Sequence, residues 1–191
     1  MPVCPKCHSS NLIQHGNSFE CLDCKATFQL NPENIFPTAK ITPETRIEAD
    51  KNSFIGDYTF IHVKLLKMGR NCYIHPFTAI IGGGELILGD NVSIGYHSLI
   101  ATATDTWKTG KHMSSALPEN MRNVVRGRII MEDDVWIGPH TTITVSPQIP
   151  ITTIGKGAVI GAYSYIDKSV SPHVVIIPKK QYKIETRKLI F

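Results

Sequence analysis

The sequence predicts an all-β chain: a parallel β-helix built from six-residue repeats, with one protruding loop and a small zinc ribbon in front. Three observations predict it. Aliphatic residues recur at every sixth position along most of the chain. Four of the five cysteines fall into two Cys-x-x-Cys pairs near the start. The six-residue pattern breaks once, for about thirty residues.

The cysteine pairs are Cys4-Pro5-Lys6-Cys7 and Cys21-Leu22-Asp23-Cys24. A gap of two residues lets both thiolates of one tight turn face the same metal, and two such turns complete a tetrahedral site suited to structural Zn2+. The chain starts Met1-Pro2-Val3-Cys4, with no basic and then apolar leader, so the cytoplasm is the expected compartment. There, paired thiols read as metal ligands before disulfides. Residues 11–20 read as two strands around the turn Gly16-Asn17. Residues 1–28 are too few to bury a core unaided, so the metal is expected to supply the folding energy. Lys6 and Lys25 balance Glu20 and Asp23, which leaves no basic footprint for nucleic acid. A structural or protein-contact role is expected for the ribbon.

Residues 29–40, with Pro32 and Pro37, read as a linker. The repeat follows. Its aliphatic positions are Ile41, Ile47, Ile55, Ile61, Met68, Ile74, Ile80, Leu88, Ile94 and Ile100, then Met131, Ile137, Ile143, Ile149, Ile154, Ile160 and Ile166. Four residues after the aliphatic stands a small or β-branched residue, as at Thr59, Cys72, Thr78, Val92, Ser98, Val135, Thr141, Ala158 and Ser164. Neither a helical nor a two-residue period accounts for this. A strand and a corner per hexad, with three hexads to a triangular coil, does. The aliphatic residue fills the interior, the small one shares it, and stacked coils bury one continuous core. Cys72 is at a small inward position and is expected to be an inert core thiol.

The interruption covers residues 101–130, inside a domain of residues 41–171. In a solenoid such an insertion is a loop leaving one face, often the binding face. The tail, 172–191, is basic. Lys179, Lys180, Lys183, Arg187 and Lys188 against Glu185 give +4, equal to the net charge of the whole 191-residue chain. The apolar share of 42% excludes a disordered chain, and no apolar run reaches the roughly 18 residues that span a bilayer.

Residues 41–180 resemble the hexapeptide-repeat acyltransferases. The resemblance runs from Met68-Gly69-Arg70-Asn71-Cys72-Tyr73 through Leu88-Gly89-Asp90-Asn91-Val92-Ser93-Ile94-Gly95 to Thr102-Ala103-Thr104-Asp105. It resumes at Asp133-Asp134-Val135-Trp136-Ile137-Gly138 and continues at Ile154-Gly155-Lys156-Gly157-Ala158-Val159-Ile160-Gly161-Ala162. It is similar to the galactoside and maltose O-acetyltransferases and to acyltransferases of surface-polysaccharide pathways. The resemblance implies a left-handed coil, a homotrimer, and acetyl transfer from acetyl-CoA to a sugar hydroxyl or amine. It also implies that Gly138, Gly161 and Ala162 admit the pantetheine arm. From its charge, the basic tail with Lys179 and Lys180 is expected to grip CoA phosphates. The family's closing Gly-x-Pro-Ala-Lys is here Ile176-Ile177-Pro178-Lys179-Lys180, without its glycine.

The position of the family's catalytic histidine is Asp105, and the position of its asparagine partner is His75. His75 is therefore expected to be the general base, since imidazole titrates near neutrality, and Asp105 to orient it or to contact the acceptor. His97, at a coil corner, and His112, inside the loop, are the other candidate bases. Trp107 is expected to line the acceptor pocket, Trp136 to pack beside the loop, and His140 to be structural. The alternative is a catalytically lapsed trimer that recruits a partner through its ribbon. A metal-dependent hydratase, using His75 and His97, is a third reading.

Overall fold

The computed structural model of the chain describes residues 12–15, 18–25, 27–29, 34–50 and 52–179. From Ile35 onward the chain winds as a parallel β-solenoid with three faces. The first face stacks Lys40–Ile41, Phe60–Ile61, Ala79–Ile81, Leu99–Ala101, Thr142–Thr144 and Tyr165–Ile166. The second stacks Arg46–Ala49, Leu65–Met68, Glu85–Leu88, Arg128–Met131 and Ile151–Ile154. The third stacks Phe54–Ile55, Tyr73–Ile74, Ser93–Ile94, Trp136–Ile137, Val159–Ile160 and Val175–Ile176. The coil therefore takes in Ile35, bridged to Ile55, at one end and Val175–Ile176 at the other, beyond the span 41–171 read from the repeat.

Register explains the hexads. On the first face Ile61, Ile80, Ile100, Ile143 and Ile166 pair in one column. On the third, Ile55, Ile74, Ile94, Ile137, Ile160 and Ile176 do the same. Ile61, Ile74, Ile80, Ile94, Ile100, Ile137, Ile143 and Ile160 are fully buried, each contributing about 1.5–3 kcal/mol of transfer free energy. The buried hydroxyls at the small positions are satisfied by corner carbonyls: Thr78 Oγ1 donates to His75 O over 2.7 Å and Ser164 Oγ to Gly161 O over 2.6 Å. Cys72 is fully buried, its Sγ 3.0 Å from Gly89 O, and burial raises its thiol pKa, as the inert reading requires.

Two details of the hexad reading change. Ile149 is 64% exposed, because residues 146–150 form a loop before the strand Ile151–Ile154. Four of the five second-face strands bury two residues each, so Leu66, Leu86 and Ile129 are core residues that the six-residue count skips.

The corners follow backbone chirality. Between the second and third faces, Asn71, Asn91 and Asp134 adopt positive φ, near 57–60°. Asn71 Nδ2 donates to Asn91 Oδ1 (3.0 Å), and Asn91 Nδ2 to Asp134 Oδ1 (2.9 Å). Asn and Asp tolerate this region best among side-chain-bearing residues. Between the third and first faces the same conformation falls on Tyr58, Phe77, His97, His140 and Tyr163. Their rings form a continuous stack with centroids 4.8–5.0 Å apart and planes within 13°.

The interruption read as 101–130 is shorter: Ala101 ends a first-face strand and Arg128–Met131 is a second-face strand, and residues 102–127 between them form an arm leaving the corner between the first and second faces. Ala103–Asp105 pairs antiparallel with Val124–Arg126, and 3-10 turns at Trp107–Thr109 and Glu119–Met121 shape the far end. In the N-terminal segment, Leu12–His15 pairs antiparallel with Ser18–Cys21, which pairs with Thr27–Gln29. The hairpin read from residues 11–20 is present, with His15 opposite Ser18. Cys4 and Cys7 lie outside the described residues. No helix among the described residues is long and apolar enough to cross a membrane.

Candidate active site

His75 follows the inward Ile74 and starts the corner between the third and first faces. Its ring lies on the outside of the coil but is half-buried, held between Tyr73 (centroids 4.1 Å) and Tyr96 (4.6 Å). Nε2 is 3.3 Å from Ser93 Oγ on the next coil. Nδ1 is buried and has no hydrogen-bond partner. Burial lowers the imidazole pKa, so the ring is neutral at neutral pH.

Asp105 ends the outgoing strand of the arm, opposite Val124. One carboxylate oxygen is 3.9 Å from Arg122 Nη1, in a pair whose side chains are 17% and 14% exposed. The other, Oδ1, is buried without a partner. The arm is braced from within: Arg122 Nε donates to Leu117 O over 3.1 Å, and Arg126 forms a two-armed pair with Glu119.

Both expected catalytic residues thus carry a buried polar atom that nothing among the described residues satisfies. A buried polar group without a partner costs about 1–3 kcal/mol and marks a place where another group is wanted. No hydrogen bond or ion pair joins the two residues within the chain, because they start from opposite edges of the first face.

The other expected residues are distributed unevenly. His97 is exposed and stacks on Phe77 and His140. His112 is exposed in the arm, bridged to Arg122. Trp107 opens the first 3-10 turn of the arm. Trp136 is 44% exposed on the third face, and the arm leaves the corner between the first and second faces. Gly138, Gly161 and Ala162 line the corner that carries His75. There the coil itself requires the glycine at 138: a Cβ would lie 2.5 Å from Ala162 N. Lys179 is exposed, and Lys180 lies outside the described residues.

Ser93, Tyr96 and Arg122 were not singled out from the sequence. The pairing Tyr73↔Ser93 puts residues about twenty apart on neighbouring coils, and counting in coils rather than hexads points to Ser93. Arg122 carries no sequence signal.

A coil of three parallel faces with an arm at one corner matches the left-handed β-helix of the hexapeptide-repeat acyltransferases. Particular proteins support that resemblance. The chain is 33% identical over 110 residues to galactoside O-acetyltransferase of Escherichia coli K12, covering 58% of this chain and 48% of that protein. It is 25% identical over 158 residues to galactoside O-acetyltransferase of Lactococcus lactis, covering 75% and 68%. The chain spans about half the length of the E. coli relatives it matches. Among solved structures it is similar to AntD, an N-acyltransferase from Bacillus cereus in complex with dTDP and 3-hydroxybutyryl-CoA. That match has a TM-score of 0.65 at 26% identity and covers 81% of this chain and 79% of that one. No family model matches the chain.

Proposed function

We propose that the chain is an acyltransferase that moves an acyl group, acetyl in the first instance, from CoA to a hydroxyl or amine of a sugar. The observation that carries this is the pair of orphaned polar atoms, His75 Nδ1 and Asp105 Oδ1, at the two positions the family uses for catalysis. The galactoside O-acetyltransferases and the CoA- and dTDP-bearing AntD support the substrate classes.

The chemistry is direct. Neutral His75 accepts the proton of the acceptor hydroxyl or amine as that oxygen or nitrogen bonds to the thioester carbonyl carbon. The tetrahedral intermediate breaks its carbon–sulfur bond, and the sulfur leaves with the electron pair and takes the proton from the imidazolium. Asp105 holds the acceptor or stabilises the imidazolium. A homotrimer suits this scheme, because an arm from one subunit laid against the His75 corner of the next joins what one chain keeps apart.

The Cys-x-x-Cys pairs belong to this reading as a structural Zn2+ site of Cys4, Cys7, Cys21 and Cys24. The described half fits: Cys21 is buried, Cys24 is half-buried, and a turn closes over them through Lys25 N to Cys21 O at 2.8 Å. When bound, the zinc would brace the ribbon and take no part in acyl transfer.

The test is free-thiol release from acetyl-CoA mixed with amino- and hydroxy-sugars, alongside calorimetry with CoA. A chain that neither binds CoA nor releases thiol above the hydrolysis blank is not this enzyme, and a trimer behaving so is the scaffold instead.

A further inference from the structure

At the foot of the arm, on the corner between the first and second faces, the surface opens into a groove of about 450 Å3, within the size range of small-molecule sites. Its floor is bare backbone. Lys64, Gly84 and Gly127 occupy equivalent places on successive coils, with Lys64 N bonded to Gly84 O and Glu85 N to Gly127 O. A Cβ on Gly84 would lie 2.2 Å from Gly127 O, and one on Gly127 would lie 2.0 Å from Pro150 O. Stacking therefore demands glycine at 84 and 127, and the side chains missing there leave the trough.

The walls are cationic: Lys64, Arg126 and Arg128 line the groove against one carboxylate, Glu85. Arg128 Nε donates to Glu85 over 2.7 Å, and Arg126 is held by Glu119 of the arm. These carboxylates fix the two guanidinium forks in place, which lowers the ordering cost of binding an anion. Lys64 is exposed, and its ammonium has no hydrogen bond or ion pair among the described residues. Arg126 also connects the groove to the candidate site. It pairs across the arm with Ala103, two residues before Asp105. Its guanidinium is held protonated by Glu119 first and by the field of Asp105 as well.

We propose that this groove is an anion site that takes the phosphate or diphosphate of a phosphorylated acceptor and delivers the attached sugar along the arm toward Asp105. The inference rests on Asp105 belonging to the acceptor site. It narrows the acceptor from sugars in general to sugars carrying phosphate. The phosphates of CoA are the competing source. The CoA positions implied by the resemblance, Gly138, Gly161 and Ala162, lie on a different corner, so the groove is assigned to the acceptor.

The test is calorimetry on the full chain with inorganic pyrophosphate and, separately, with CoA. Pyrophosphate is expected to bind wild type and to bind Lys64→Glu and Arg128→Gln about tenfold more weakly or worse, with CoA affinity unchanged in both. Melting temperatures close to wild type show that the variants fold. Three results overturn the proposal: no pyrophosphate binding at millimolar concentration, equal binding by wild type and Lys64→Glu, or simple competition between pyrophosphate and CoA. Absent CoA binding with pyrophosphate binding intact sinks the acyltransferase reading alone and leaves the anion site standing.

Discussion

The Oγ of Ser93 lies 3.3 Å from Nε2 of His75, one coil away, while His75 Nδ1 faces no partner. If the Nε2–H donates to Ser93, the lone pair stays on Nδ1, where it can accept a proton. Ser93 is then a positioning residue that selects the tautomer. His75→Ala is expected to lower kcat by about 10^2–10^4, with KM for acetyl-CoA little changed. Ser93→Ala should give a smaller loss, and Ser93→Thr should restore the rate. Steady-state thiol release measures all three. A His75→Ala enzyme at full speed removes His75 from the mechanism.

Burial holds the His75 imidazole below its ordinary pKa, and the sign of the pH dependence follows. The base works when neutral, so kcat/KM falls only as the pH drops through the lowered native pKa, and the acid limb lies below the usual imidazole range. The unfolded chain takes up its proton at the ordinary value. Native stability is therefore eroded as the pH falls from that value toward the native one. His75→Gln should flatten this part of the stability profile in chemical denaturation at successive pH values. An acid limb at or above the ordinary imidazole value contradicts the buried-base geometry.

The solenoid was legible because its core repeats: one isoleucine column on each of two faces writes a strict period into the sequence. The second face was not, since Leu86 and Leu88 both turn inward and break the six-residue count. The positions proposed for the chemistry, His75 and Asp105, could be picked from the sequence, but their environment could not. What surrounds them, Ser93 and Arg122, depends on a coil length of about twenty residues and on the arm's fold, and neither leaves a local pattern. The basic groove is hidden for the same reason. Lys64 is far in the chain from Arg126 and Arg128 and meets them only when coils stack.

Ile137 and Ile149 share the hexad spacing but not the fate: Ile137 is fully buried and Ile149 is 64% exposed. Ile137→Ala removes most of a core side chain between Ile94 and Ile160 and should cost about 2–5 kcal/mol. Ile149→Ala should change stability by less than about 0.5 kcal/mol. Denaturant unfolding of the two variants decides whether the loop at 146–150 is placed correctly, since equal losses would return Ile149 to the core.

Among the described residues the solenoid's core cluster begins at Ile35 and takes in none of the N-terminal strands, so the proposed zinc site and the solenoid should respond separately to metal. The proposed site predicts about one zinc per chain, measured by elemental analysis. Cys21→Ser should lose it, and chelation should melt only the N-terminal segment. Far-UV circular dichroism would keep the solenoid's strand signal and thermal transition. A preparation free of zinc that keeps the native fold of the Leu12–Gln29 sheet rules the metal out.

His97 was a candidate base, and its surroundings argue for a different task. Its φ is +57°, and its ring lies 4.9 Å from both Phe77 and His140, nearly parallel to each. The left-handed conformation costs a side-chain-bearing residue about 1–2 kcal/mol, and each stacked neighbour returns about 0.5–1.5 kcal/mol. His97→Ala keeps the strain and loses both contacts, so it should destabilise the fold by about 1–3 kcal/mol. His97→Gly relieves the strain and should fall nearer to wild type. Both variants should keep kcat at temperatures where they are folded. A His97→Gly protein that is stable and inactive would give His97 a catalytic part and take it from His75.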